Sequence, residues 1–200
     1  IQAFPWDYWR HEFSIAQSVG LSLMEWTLDQ HRLRENPIVT VSGQEEISAL
    51  SETYDVQIVS LTGDCFMQAP FWKVSGAVRS ALEDDFRTVI EACSAFAIKI
   101  IVVPLVDNGS LESPQQEDTL VGYLAEQTAD LKSNGIRIAF ESDYPPARLA
   151  RLLERLEPCC FGVNYDIGNS AALGLDPVEE FSAFGERIVN VHVKDRLLGG

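Results

Sequence analysis

The chain is 200 residues long and 46% hydrophobic, enough for one domain with a sizeable core. Its 15 basic residues against 30 acidic ones give a formal charge of −15, which argues against nucleic acid and against an anionic membrane surface, since both select basic faces. No apolar run reaches the ~18 residues of a membrane span and no basic-then-apolar leader opens the chain, so a cytoplasmic protein is expected.

Residues 5–19 carry a helical rhythm in Trp6, Trp9, Phe13 and Ala16, and Gly20 ends it. "LSLMEW" at 21–26 reads as a strand, "QEEISALSETYD" at 44–55 as an amphipathic helix and "VQIVSLTG" at 56–63 as a second strand. Over 77–97, Val78, Leu82, Phe86, Val89, Ile90, Cys93 and Phe96 recur at spacings of three and four, which predicts a long helix with these residues inward. "IKIIVVPLV" at 98–106 is a nearly continuous β-branched run, the pattern of a strand buried on both faces. A helix at 115–133 leads through Gly135 to a strand at 136–141, and a helix at 146–157 directs Leu149, Leu152, Leu153 and Leu156 inward. A strand at 160–166, a helix at 177–187 behind Pro177, and a strand at 188–195 complete the pattern. The cysteines, Cys65, Cys93, Cys159 and Cys160, form no CxxC pair and read as reduced thiols.

Six strands alternating with helices imply a parallel α/β sheet with right-handed crossovers. A doubly wound open sheet would be complete at this length, whereas a (β/α)₈ barrel usually needs about 250 residues. The chain stops directly after a strand with no helix to cover it, and its first residues enter a helix behind only a stub. The expectation is a single (β/α) barrel domain over 1–200 that lacks a strand at each end.

In parallel α/β folds, chemistry sits at the C-terminal ends of the strands. Three successive strands stop there at groups able to bind a cation: Glu141 (with Asp143) in "IRIAFESDYP", Asp166 in "VNYDIGN" and His192 in "IVNVHVKDR". If the strands are neighbours, these three converge on one divalent cation. Each also has a plainer reading. Asp166 can cap the turn at Gly168 and Asn169, and a histidine in an apolar strand is commonly a satisfied core residue. Lys194 alternates with His192 and shares its inward face, Glu25 ends the first strand within reach of a substrate hydroxyl, and Asp195 and Arg196 are placed to support the site or meet a phosphate.

"DIGN" after an apolar strand, followed beyond a helix by "HVKD", resembles the sugar phosphate isomerase/epimerase superfamily, whose barrel is that of xylose isomerase. The likeness is strongest to the L-ribulose-5-phosphate and L-xylulose-5-phosphate 3-epimerases. "FESDYP" and "MEW" agree with it, and it runs from about residue 10 to residue 196. The resemblance implies a (β/α)₈ TIM barrel acting on a small sugar or sugar phosphate. It implies one divalent cation (Mn, Mg, Co or Zn) held by Glu141, Asp166, His192 and a second Glu from the eighth strand, which is expected to lie outside this chain. It also implies epimerisation or isomerisation of a ketose or ketose phosphate. A proton beside the ketone leaves to a base such as Glu141, and the cation stabilises the enediolate charge. Glu25, Lys194, Asp195 and Arg196 then become substrate-binding candidates. Two rival readings are an AP-endonuclease-like metal hydrolase, opposed by three histidines and the charge of −15, and a non-catalytic carbohydrate-binding barrel, which would hold no metal. Unpaired strand edges would also permit a homo-oligomer.

Overall fold

The structure is a computed structural model that describes residues 3–197. Its strands are β1 (Leu23–Thr27), β2 (Gln57–Thr62), β3 (Ile100–Leu105), β4 (Arg137–Ser142), β5 (Phe161–Asp166) and β6 (Ile188–His192). Its α-helices are α1 (Trp9–Ser18), α2 (Val41–Tyr54), α3 (Asp64–Gln68), α4 (Gly76–Ala95), α5 (Pro114–Asn134), α6 (Pro146–Glu154), α7 (Ile167–Leu173) and α8 (Pro177–Phe184). Neighbouring strands are parallel and the sheet order follows the sequence order, β1-β2-β3-β4-β5-β6. A doubly wound sheet would reverse that order at a switch point. Unbroken order is the mark of a barrel wall, and this chain forms a six-stranded parallel part of a barrel without the full eight strands.

Local chemistry explains where the elements begin and end. Thr40 caps α2 by accepting from the Gly43 backbone N–H, and Ser113 caps α5 by accepting from Gln116, with Pro114 at the first helical position. Gly135 ends α5 at φ 62, a left-handed conformation that costs glycine little. The β-branched run of β3 is buried along nearly its whole length, as expected of a central parallel strand. Leu149, Leu152, Leu153 and Leu156 are all buried, as are Phe86, Val89, Ile90 and Cys93 of α4. Trp9 and Trp72 belong to the core, Trp6 is partly buried against it, and all four cysteines are free thiols.

Several expectations need correction. Val78 is 60% exposed, and the buried residues of α4 begin only at Phe86. The segment "IGNSAAL" forms a helix, α7, that its Gly and Asn conceal. Strand β6 ends at His192, so Lys194 and Asp195 lie in the extended segment beyond it.

Candidate active site

Glu141, Asp166 and His192 occupy the C-terminal ends of β4, β5 and β6, and the parallel register sets Asp166 directly beside His192. One potential ligand atom from each lies within 4.8 Å of the others. His192 Nδ1 is 3.4 Å from Glu141 Oε2 and 3.9 Å from Asp166 Oδ2. Two ligands bound at ~2.1 Å to a common ion stand about 3.0–3.5 Å apart, so a small contraction would seat one cation.

The surrounding groups hold these three in place. Asn164, two residues before Asp166 on β5, donates to Glu141 Oε2 at 2.7 Å and stands 3.0 Å from His192 Nδ1. Asn169 in α7 donates its side-chain amide to Glu141 Oε1, and its backbone N–H donates to Asp166 Oδ1 at 2.9 Å. Asp166 thus caps α7 with one oxygen. The other, Oδ2, is buried without a hydrogen bond, and the Lys194 ammonium lies 2.7 Å from it off hydrogen-bond alignment. On the far side of the imidazole, His192 Nε2 is 2.7 Å from Glu25 Oε1, which also accepts from Thr62 at 2.5 Å. A carboxylate on the outer nitrogen of a ligating histidine fixes its tautomer and orientation.

The electrostatics have one sense. Hydrogen bonding to Glu141 and Glu25 outweighs burial and raises His192 to about 10. Burial pushes Glu25 up, but hydrogen bonds from His192, Thr62 and Ser60 hold it net below the ordinary carboxylate range. The carboxylates around His192 therefore make this a site that favours positive charge. Two carboxylates and an imidazole, with a buried Asp166 oxygen that takes no hydrogen bond and already draws the Lys194 ammonium, fit a divalent cation of the Mg, Mn, Co or Zn kind.

The sequence-derived candidates fare differently. Glu25 reaches the site through His192, and Lys194 through Asp166. Arg196 donates to Asn169 Oδ1 at 2.7 Å and lines the same cavity. Asp195 is exposed and lies outside the cavity lining. Asn164, Asn169 and Asn190 were missed. The first and last could have been found from alternation alone, since each sits two residues before a candidate ligand on the same face of its strand. Asn190 donates to Asn164 Oδ1 at 3.1 Å, which ties β6 to β5 beneath the site.

The sequence matches the family model for the xylose isomerase-like TIM barrel over residues 13–199. No curated protein matches. Among solved structures, D-psicose 3-epimerase in the presence of D-fructose is similar with a TM-score of 0.73 at 12% identity, covering 94% of this chain and 71% of that one. The 3-keto-D-glucoside 4-epimerase of E. coli gives 0.72 at 15% identity, with 98% and 77% covered. A xylose isomerase-like TIM barrel protein from Mycobacterium smegmatis, in complex with magnesium, gives 0.71 at 15% identity, with 95% and 67% covered. At these identities the likeness is one of fold.

Proposed function

The chain belongs to the xylose isomerase-like TIM-barrel family, and we propose that it is a divalent-cation-dependent sugar epimerase or isomerase acting on a ketose or ketose phosphate. The observation that carries this reading is the convergence of Glu141, Asp166 and His192, with Asp166 Oδ2 buried without a hydrogen bond and ion-paired with Lys194. When bound, the cation would supply positive charge beside the two oxygens of an enediolate. The chain's own residues do the rest. Glu141, held by two side-chain amides, is the base that takes the proton beside the carbonyl. Glu25 keeps the imidazole of His192 turned to the centre. Lys194 and Arg196 set a cationic rim on the β6 side, fitted to a phosphate or to polarised hydroxyls. The "DIGN" and "HVKD" segments favour the pentulose-5-phosphate 3-epimerases within the family. The fold neighbours are named as epimerases of D-psicose and of a 3-keto-D-glucoside, names without a phosphate, so both substrate classes belong in the test.

The test has two readouts. Mn²⁺ should raise the thermal midpoint of the wild type, and Asp166→Asn, which keeps the cap of α7, should abolish that rise. In deuterated water, a panel of ketoses and ketose phosphates should show exchange at the carbon beside the carbonyl, with at least a hundredfold loss in Glu141→Gln. A cation response unchanged in Asp166→Asn, or full exchange in Glu141→Gln, refutes the assignment.

A further inference from the structure

One carboxyl of the site cavity takes no part in the arrangement above. Asp64 follows Gly63 at the end of β2 and opens α3. It is 8% exposed and lines the same cavity of about 730 Å³ as Thr62, Glu141, His192, Lys194 and Arg196. Its carboxylate receives no hydrogen bond among the described residues. The neighbouring carboxylates are all employed. Asp29 accepts from the Phe4 backbone N–H at 2.7 Å and from Gln68 at 2.6 Å, and Glu25 accepts from Thr62 and His192. Its oxygens open onto the cavity with no protein donor to meet them, and burial of the residue, together with the charges of Asp29, Glu141 and Glu25, opposes its ionisation. Its place in the first turn of α3 favours an acid only modestly, and α3 is five residues long.

We propose that Asp64 is a specificity-determining residue that binds a hydroxyl of the substrate's polyol chain, on the part remote from Lys194 and Arg196. The inference rests on the sugar reading above and deepens it. A hydroxyl supplies the missing donor without adding charge. A phosphate or carboxylate would be repelled by the same acidic wall, so an anionic end-group belongs on the β6 side with Lys194 and Arg196. The cavity is thereby polarised. Asp64 at the end of β2 faces a free hydroxyl, and Lys194 and Arg196 beyond β6 face the anionic or carbonyl end, which fixes the direction in which a ketose lies.

Titration calorimetry of the Mn²⁺-loaded protein against ketopentoses, ketohexoses and their terminal phosphates tests this. Asp64→Ala should weaken the tightest-binding sugar at least tenfold, while Mn²⁺ affinity stays within twofold. Singly deoxygenated analogues of that sugar locate the contact. One analogue should bind wild type at least tenfold more weakly than the parent, and should bind Asp64→Ala as well as the parent does. Asp64→Asn keeps the shape and one acceptor, should fall between the two, and carries the test if the alanine variant folds poorly. An identical ranking of the analogues by wild type and both variants overturns the role of Asp64 and leaves the sugar reading standing. Failure of every sugar to bind the wild type overturns the sugar reading and this inference with it.

Discussion

The two oxygens of Asp166 have separate duties. Oδ1 caps α7 through the Asn169 N–H, and Oδ2 faces the centre shared with Glu141 and His192. The plainer reading of this residue as a turn cap and the reading as a ligand are therefore both compatible with one side chain, and residue type alone offers no choice between them. Asp64 poses the sharper energetic question. Burial, with Asp29, Glu141 and Glu25 nearby, raises its carboxyl from 3.8 to about 6. The folded state thus holds the proton more tightly than the unfolded chain does. Below the unfolded value the group is protonated in both states and has no effect. Above about 6 it is ionised in both, and the folded state carries the whole penalty. At ~1.4 kcal/mol per pH unit, and with water at the cavity mouth screening part of the charge, that penalty is about 2 kcal/mol. Asp64→Asn should therefore stabilise the protein by about this amount at neutral pH, with the gain fading as the pH falls toward 4. Urea unfolding at several pH values measures it. A gain that is flat with pH would show that the charge is not its source.

At the scale of elements, β6 approaches β5 closely at Gly162. A Cβ at Gly162 would stand 2.6 Å from the Arg187 carbonyl oxygen and 2.9 Å from a Val189 methyl. The Arg187 guanidinium meanwhile donates to the Phe161 carbonyl at 2.7 Å and to the Leu153 carbonyl at 3.2 Å, clamping the turn onto β5 and α6. A register shift between Val163 and Asn164 follows, and it sets Asn164 opposite Asn190 and Asp166 opposite His192. Gly162→Ala should push β6 outward, destabilise the fold by about 1–3 kcal/mol and weaken Mn²⁺ binding several-fold, because His192 rides on β6. Calorimetric unfolding with and without Mn²⁺ separates the two effects, and an unchanged ion affinity would mean that β6 is not displaced. The strands themselves were legible because parallel strands buried on both faces read as continuous apolar runs that halt at polar residues. Such runs as 98–106 left little choice. The α7 helix was not legible. Its seven residues are too few for a periodic stripe, and it is held by the Asp166 cap and the Tyr165–Ser170–Glu180 hydrogen bonds rather than by propensity. The Glu25–His192 contact joins β1 to β6, strands at opposite ends of the sheet order that only the curvature of the wall brings together, so sequence spacing held no trace of it.

At the scale of the whole molecule, the described sheet has two unpaired edges, β1 and β6, each with apolar residues in water. Leu23 on β1 and Val191 on β6 are more than half exposed, and Val193 just beyond β6 is more so. Unpaired edges with apolar flanks favour pairing with another chain. A formal charge of −15 on a 22.2 kDa chain opposes it. Ionic strength decides between them, since the screening length falls from ~30 Å at 0.01 M salt to ~3 Å at 1 M while apolar burial is not weakened. We expect this chain to sediment as a monomer in dilute buffer and to form dimers or larger species as salt is raised at fixed protein concentration. Leu23→Lys with Val191→Lys places a charge on each edge and should restore the monomer at high salt. Analytical ultracentrifugation across a salt series provides the check. Association that weakens with salt would assign the contact to charged surfaces instead of the strand edges, and a 22.2 kDa species at every salt and protein concentration would show that both edges are protected.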